Sequence, residues 1–294
     1  MPAVLAGAVG IGFAPILVRF SQVGPSATAA WRILIALPLL WLLVLIERRR
    51  HPHTLQPQTR KDFKWLTIAG LFFMGDLAMW HWSLQITTVA NSTLLTNFAP
   101  IFVTIGAWVL LGERVSSRFL VGLLLALAGA GLLVLQSVSL STRQVWGDLL
   151  SIVTAVVYAG YLLSVKGLRL RFSTITIMAW SGIVSCATLF VVGALSGEQM
   201  VPLDAKGWRV LVTLALVSHV GGQTLIAFAL GHLPASFSSV SLLLQPVIAA
   251  FLAVPFLHER LGGWQIVGGI VTLAGVLIAA RARVSSVTAD RSTK

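Results

Sequence analysis

The chain has 294 residues, of which 57% are hydrophobic and only 10% charged, and its mean hydropathy is +0.91. A single soluble core cannot bury that much apolar surface, so the composition excludes a soluble globular protein and indicates an integral membrane protein. The net charge of +12 would suit nucleic acid only if the basic residues formed a patch; they lie mostly at alternate loops, so we expect no nucleic-acid partner.

Apolar runs long enough to span a bilayer follow one another along the chain. They lie at residues 3–20, 27–46, 64–85, 91–111 and 118–136 in the first half, and at 146–165, 174–195, 208–229, 237–257 and 263–280 in the second. We therefore predict an all-α integral membrane protein with ten transmembrane helices. The first run has no basic segment before it, which predicts a retained helix rather than a cleaved signal.

The two halves share a skeleton of prolines, charges and glycines. Pro100, Glu113, Arg114, Gly122 and Gly129 reappear 146 residues later as Pro246, Glu259, Arg260, Gly268 and Gly275. Matched positions without an insertion indicate a duplicated unit. Because five helices per unit is an odd number, the second copy enters from the opposite side, and the repeats are predicted to be inverted. We predict a first repeat at 1–140, a second at 141–284 and a tail at 285–294.

The distribution of basic residues predicts the orientation. Fifteen lysines and arginines fall near the helix ends on one side of this topology and four on the other. Since basic loops are retained in the cytoplasm, we expect both termini and the tail to be cytoplasmic.

Prolines and charged corners in the repeated skeleton suggest moving parts. Pro100 and Pro246 each remove a backbone donor inside a run, so each should kink its helix. As a matched pair they are candidates for a hinge, with a static kink as the alternative. The corners Glu113-Arg114 and Glu259-Arg260 are interpreted as pairs that fix loops or gate a pathway, rather than as ligands.

Several of these features together resemble a known family. The segment Trp-Arg-Ile-Leu-Ile-Ala at 31–36, the Pro…Gly-Glu-Arg…Gly…Gly skeleton and its His-Glu-Arg counterpart resemble the EamA-domain proteins of the drug/metabolite transporter superfamily, over nearly the whole chain. The resemblance implies a transporter in a bacterial inner membrane. This superfamily moves amino acids, other metabolites and organic cations. The length and the aromatic-rich central helices look most like its amino-acid exporters, which implies export of amino acids, aromatic or broad-range, or of related small metabolites.

Charged side chains inside the runs are candidate site residues, because a charge at the bilayer centre costs about 2.5 to 3.5 kcal/mol and needs a cavity or a partner. Asp76 is the only acid so deeply placed; we interpret it as a proton or substrate-ammonium site, or as a structural partner of Arg32 or His81. Arg32 can hold a substrate carboxylate through two hydrogen bonds, and a structural ion pair with Asp148 or Asp76 is the favoured alternative. His219 lies 143 residues after Asp76 and is its counterpart in the second repeat.

Polar and aromatic side chains inside the runs predict a central cavity between the third, fourth, eighth and ninth helices. Polar faces must turn inward in lipid, and three of them recur at helical spacing. Those faces are Thr93, Asn97, Pro100 and Thr104, then Ser238, Ser241 and Gln245, then His219 and Gln223. Aromatic rings can accept an apolar side chain or a cation, although core filling or lipid contact is expected for at least half of them. The predicted substrate-binding residues are Asp76, Trp80, His81, Asn97, Phe98, Tyr158, Trp180, His219, Gln223, Ser241 and Gln245. In this site we expect Arg32 or a freed helix end to bind a substrate carboxylate, and Asp76 or backbone carbonyls to bind a substrate ammonium.

Catalytic apparatus is not visible in the sequence, which contains no glycine-rich phosphate loop with its lysine and no paired carboxylates. Phe73 replaces the first glycine of the Gly-x-Gly-Asp element of intramembrane aspartyl proteases, and Gly262 replaces the second histidine of a zinc helix. Cys186 is the single cysteine, so it forms no cluster. We therefore expect no enzyme activity, no metal and no cofactor.

The expected partners are a small-molecule substrate and the lipid bilayer, and a monomer is the working expectation. Two rival functions remain. A drug or organic-cation exporter of the same superfamily would need a deep acid and aromatic rings but no carboxylate clamp. A non-transporting membrane scaffold would need no polar cavity.

Overall fold

The computed structural model is almost entirely helical and describes residues 2–87, 89–134, 144–257, 262–282 and 284–286. Its helices are α1 (Pro2–Gly12), α2 (Ala14–Arg19), α3 (Pro25–Arg50), α4 (Arg60–Ile86), α5 (Val89–Thr96), α6 (Ala99–Leu111), α7 (Ser117–Val134), α8 (Val145–Leu168), α9 (Thr174–Leu195), α10 (Ala205–Thr213), a π-helix (Leu214–Gln223), α11 (Thr224–Leu230), α12 (Ala235–Ser241), α13 (Leu244–Leu257) and α14 (Gly263–Ala280). The predicted all-helical membrane class is confirmed.

Seven helical segments of the described chain are long and apolar enough to cross a bilayer, and two others are shorter apolar helices. The seven are Pro2–Arg19, Pro25–Arg50, Leu94–Leu111, Val145–Leu168, Thr174–Leu195, Ala205–Leu230 and Gly263–Ala280, and the shorter two are Ser117–Leu133 and Ala235–Phe251. The 27-residue α4, which contains Asp76 and His81, is outside this set. The count of ten spans therefore stays a prediction.

Three of the predicted runs contain a helix break just before a proline. The breaks lie at Phe13, at Asn97 and Phe98, and between α12 and α13. Proline cannot donate to the preceding turn but fits the first turn of a new helix, so the chain turns and then restarts. The predicted kinks at Pro100 and Pro246 thus take the form of breaks at matched positions, and hinge motion there stays a prediction.

Helix pairing repeats when the two halves are exchanged. Helix α3 packs against α9, and α7 against α14, so these pairs map onto themselves. The pairing of α4 with α8 corresponds to that of the π-helix with α1, and α6 with α8 corresponds to α13 with α1. Two copies of one five-helix unit are expected to produce this pattern.

The skeleton glycines allow α7 and α14 to approach closely. A Cβ atom on Gly122 would lie 2.7 Å from the carbonyl oxygen of Gly275, and a Cβ on Gly129 would lie 2.7 Å from that of Gly268. Helices in lipid associate through such close packing, because lipid tails are as apolar as the side chains and helix association therefore gains no hydrophobic free energy. This part of the repeated motif is therefore explained by packing.

We expect Gly129→Ala to destabilise the folded protein by about 1–3 kcal/mol or more, since the new Cβ overlaps the α14 backbone. The matched control on the same helix is Gly131→Ala, whose Cβ would lie 3.6 Å from the nearest atom, on Leu94. Thermal unfolding in detergent, followed by the monodisperse fraction, measures the effect. Equal melting temperatures for the two variants would contradict this account of the motif.

A short antiparallel pair of strands lies outside the helices. β1 (Glu113–Val115) pairs with β2 (Val284–Ser286), with Glu113 opposite Ser286. The pair ties the chain after α14 to the connection between α6 and α7. Sequence patterns gave no sign of this pairing, because its two partners are far apart along the chain.

Candidate functional site

A cavity of about 770 Å³ lies between the helices of the two halves. Its volume is within the range typical of small-molecule sites. One end, which we call the mouth, reaches the surface beside the exposed Arg19 and Gln85. Away from the mouth the wall includes the buried Phe73 and Gln223 and the half-buried Tyr158. Several residues that the sequence predicts to meet a ligand line this cavity: Arg32, Asp76, Trp80, His81, Asn97, Tyr158, Gln223 and Gln245.

Arg32 on α3 and Asp76 on α4 bring opposite charges to the same cavity. Arg32 is only 3% exposed, and its Nε atom has no hydrogen-bond partner in the part of the chain that the structure describes. The two groups interact electrostatically, but no salt bridge within 4.0 Å joins them. The alternative partner Asp148 instead accepts hydrogen bonds from Thr87 (2.6 Å) and Asn91 (3.2 Å). The structural ion pair considered for Arg32 is therefore not formed in this structure.

Aromatic rings and amides complete the wall around the two charges. Trp80 lies beside His81, with ring centroids 5.0 Å apart, and both rings line the cavity. The amide nitrogens of Asn97 and Gln223 have no hydrogen-bond partner in the described structure. A buried donor without a partner costs about 1–3 kcal/mol, so a ligand or water that reaches these amides is stabilised there. The wall can therefore bind a polar head through charges and amides and a side chain through rings.

Matched prolines place two helix breaks in the cavity wall. Thr96, Asn97, Ala99 and Pro100 line it at the break between α5 and α6, and Leu242, Leu243, Gln245 and Pro246 line it at the break between α12 and α13. Broken helices at a binding site are a recurring device in membrane transporters, because backbone freed from helical bonding is tolerated where it borders a cavity.

Four predicted binding residues do not lie in this cavity wall. The Trp180 ring packs edge-on against Trp41 and Phe63, with centroids 5.2 Å away in each case. Phe98 packs against the hydrophobic core. These two corrections have one cause: an aromatic ring inside a membrane run fills a core as readily as it lines a pathway.

The other two are polar residues that point elsewhere. The Ser241 hydroxyl donates to the carbonyl of Phe237, four residues earlier (3.1 Å), which satisfies it within its own helix. His219 is fully buried and packs against Phe73, with ring centroids 5.6 Å apart. Both its ring nitrogens lack a hydrogen-bond partner among the described residues.

The side opposite the mouth is closed by contacts between loops and helix ends. The Glu113 carboxylate accepts from the backbone N–H groups of Ala235 (2.8 Å) and Ser236 (3.2 Å) and from the Ser236 hydroxyl (2.7 Å). The Lys166 ammonium donates to the carbonyl of Leu233 (2.8 Å). Glu113 therefore fixes the connection between α11 and α12, while a gating role stays a prediction. Its neighbour Arg114 is exposed, and Glu259 and Arg260 lie outside the described residues.

We expect Glu113→Gln to lower stability by about 1.5–3 kcal/mol, because hydrogen bonds to a charged acceptor are lost and the amide turns a donor toward backbone N–H groups. The matched control is Arg114→Gln, at the exposed neighbouring position, which should change little. Melting temperatures in detergent distinguish the two. A melting temperature unchanged by Glu113→Gln would contradict the assignment of Glu113 as the fixing residue.

Two parts of the site were missed from the sequence. Helices α1 and α2 contribute to the wall through Ile11, Ala14 and Pro15. The proline rule that predicts kinks at Pro100 and Pro246 also predicts one at Pro15, but the predicted site contained no residue of these two helices. The π-helix was also missed, since its apolar pattern resembles that of an α-helix. Wide π turns are frequent at functional sites.

Comparison with known proteins places this architecture in a family. The EamA-like transporter family matches the chain twice, over residues 1–135 and 145–281. A transporter of Archaeoglobus fulgidus is 25% identical, over 90% of this chain and 90% of its own length. The pseudopaline exporter CntI of Pseudomonas aeruginosa is 23% identical over 76% and 78%, and a probable terminal-alkyne amino-acid exporter of Streptantibioticus cattleyicolor is 27% identical over 76% and 74%.

The fold is also found in a known crystal structure. That chain aligns with a TM-score of 0.80 at 18% identity and covers 96% of this chain and 99% of its own length. Because the family matches both halves and the fold agrees along nearly the whole length, the chain is a member of the EamA-like transporter family, within the drug/metabolite transporter superfamily.

Proposed function

We propose that this transporter exports amino acids or related zwitterionic small metabolites by alternating access through the cavity. The observation that carries the proposal is that Arg32 and Asp76 line one cavity without being bonded to each other. A guanidinium binds a carboxylate through two parallel hydrogen bonds, and a carboxylate binds an ammonium through charge-assisted ones. Two opposite charges held apart in one cavity therefore suit a substrate that carries both groups.

The relatives are consistent with this proposal without fixing the substrate. One is named as a probable amino-acid exporter and another as an exporter of pseudopaline, both at about a quarter identity. The length of the chain and its aromatic-rich central helices also resemble the amino-acid exporter YddG, and this resemblance is part of the same proposal. The substrate class rests on Arg32 and Asp76, and the direction of transport rests on the family resemblance.

The proposed location is a bacterial inner membrane with both termini in the cytoplasm. In that orientation the connection between α2 and α3, beside the mouth, faces the periplasm. Glu113, Lys166 and the α11–α12 connection then close the cytoplasmic side. The conformation described here is accordingly an outward-open one.

An organic-cation exporter is the second candidate, because Trp80 and Tyr158 line the cavity together with Asp76. Aromatic faces beside a carboxylate attract quaternary ammonium groups. Such a substrate has no carboxylate, however, and would leave Arg32 buried without an anion, at a cost. The presence of the cavity itself counts against a non-transporting scaffold.

Counterflow in proteoliposomes tests the proposal. Labelled amino acid should accumulate in vesicles preloaded with unlabelled amino acid, with and without a pH gradient. External zwitterionic amino acids should inhibit this accumulation, and quaternary ammonium ions should not. Inhibition by quaternary cations alone would favour the cation exporter, and zero flux for every solute tested would favour a scaffold.

A further inference from the structure

The cavity wall is symmetric at the two helix breaks and asymmetric beyond them. At the two helix breaks, four lining residues of the second half lie 146 positions after four lining residues of the first. Beyond the break, the second half also contributes Ala249 and Ala250, whose counterparts 146 positions earlier are Val103 and Thr104. Those counterparts are 0% and 7% exposed and do not line the cavity. The two halves are thus in different arrangements around a shared centre.

The same relation holds between α4 and the π-helix. Trp80 and its counterpart Gln223, 143 positions later, both line the cavity. Asp76 lines it, whereas its counterpart His219 does not. His219 is instead fully buried, and neither of its ring nitrogens has a hydrogen-bond partner within the described ranges.

Tertiary contacts support this correspondence of positions. A Cβ on Gly75 would lie 3.1 Å from the Val157 side chain of α8. At the equivalent place in the other half, the Ser218 hydroxyl donates to the carbonyl of Gly10 on α1 (3.0 Å). Gly75 and Ser218 directly precede Asp76 and His219, so these two residues occupy equivalent places in their halves.

The remaining charge has an equally clear counterpart. Arg32 is the eighth residue of α3, and Ser181 is the eighth residue of α9, the helix with which α3 packs. Ser181 is 3% exposed, and its hydroxyl donates to the carbonyl of Ile177 (2.7 Å). At the two ends, Arg19 borders the mouth, while Lys166, 147 positions later, lies at the closed side.

From this correspondence we infer that the cavity's opposite-facing form is lined by the counterparts of the residues that line it here, and presents His219 and Ser181 where this form presents Asp76 and Arg32. The inference rests on the proposed alternating access. In inverted repeats the two halves exchange arrangements when the site changes sides, so residues buried in one half become the wall. An unpartnered buried imidazole is expected of a group whose partner is present in the other state.

Unequal binding on the two sides of the membrane follows. A zwitterion entering from the mouth meets a guanidinium and a carboxylate, whereas one entering from the other side meets an imidazole and a hydroxyl. Charge-assisted hydrogen bonds are about twice as strong as neutral ones, so the apparent affinity should be about tenfold weaker, or more, from the closed side. Flux measured at graded substrate concentrations on each side of oriented vesicles gives this ratio.

Side-specific labelling of single cysteines tests the inference directly. In a Cys186→Ser background, the two matched pairs are Asp76→Cys with His219→Cys and Ala250→Cys with Thr104→Cys. A membrane-impermeant methanethiosulfonate reagent is applied to right-side-out and to inside-out vesicles. Cysteines at 76 and 250 should react from the mouth side, and cysteines at 219 and 104 only from the opposite side. The conservative Thr104→Cys and Ala250→Cys pair decides the test if the His219 variant does not fold.

The inference is overturned if the cysteines at 219 and 104 react from the mouth side, or from neither side while those at 76 and 250 react. Counterflow separates this failure from that of the proposed function. If amino-acid flux is observed but the cysteines at 219 and 104 do not react, the inference is refuted and the proposed function stands. If the cysteines react as expected but no amino acid is transported, the proposed function is refuted and the two-sided cavity stands.

Discussion

Asp76→Asn should reduce amino-acid transport by about 10- to 150-fold while leaving the amount of folded protein in the membrane unchanged. The exchange keeps the shape of the side chain but removes the only charge in the cavity wall that we assign to a substrate ammonium. Hydrogen bonds to charged groups contribute about 1.5–3 kcal/mol, which corresponds to that range of rates or affinities. Initial rates in reconstituted vesicles, normalised to protein content, measure the change.

A second aspartate on the same helix provides the control. Asp62 caps the start of α4 together with Thr59 and forms a salt bridge with Arg171 (2.7 Å). The hydrogen bonds from Thr59 hold the pKa of Asp62 below its ordinary value, so the carboxylate is charged at neutral pH. Asp62→Asn should lower thermal stability but leave the substrate concentration at half-maximal rate unchanged. Equal transport rates for wild type and Asp76→Asn would refute the role given to Asp76.

Arg32→Lys should weaken transport of an amino acid by about tenfold or more and have little effect on the amine that lacks only its carboxylate. Lysine keeps the positive charge but loses the planar fork that binds a carboxylate through two hydrogen bonds. The Arg32 side chain is almost fully buried, and its Nε atom has no hydrogen-bond partner among the described residues, so we expect no protein group to replace that fork. Competition constants for the amino acid and its decarboxylated amine, measured on both proteins, isolate the interaction as a double-mutant cycle does.

The surface residue Arg209 provides the matched control, because it is exposed on α10 and does not line the cavity. Arg209→Lys should change neither competition constant. If Arg32→Lys weakens competition by the amino acid and by the amine equally, the guanidinium stabilises the protein structure rather than binding a substrate carboxylate.

The sequence located the charged and amide residues of the site better than its aromatic residues. Arg32, Asp76 and Gln223 could be placed at a cavity because lipid makes a polar group costly wherever it does not face water or a partner. The rings of Trp180 and Phe98 pack among other apolar groups, so the cost of burying a polar group does not direct them toward a cavity. Aromatic side chains in membrane helices therefore need a structure before a role can be assigned.

Contacts between distant segments of the chain also could not be predicted from the sequence. Glu113 was recognised as a loop-fixing residue from its position in a repeated corner, but its partner Ser236 lies 123 residues away and carries no signature of the contact. The repeat itself could be recognised in the sequence, because Pro100 and Pro246 each lack a backbone donor and interrupt a helix in the same way. What could be predicted was thus local chemistry and its repetition, and what could not was which distant backbone group meets which side chain.

The central claim, that one cavity binds both charges of a zwitterion for transport, is tested most directly by counterflow with three preloaded compounds. Vesicles are loaded with an amino acid, its decarboxylated amine or its deaminated acid, and uptake of the labelled amino acid is followed. The account predicts strong accumulation with the amino acid and little with either analogue. Equal accumulation with all three, or accumulation driven by the amine alone, would contradict it.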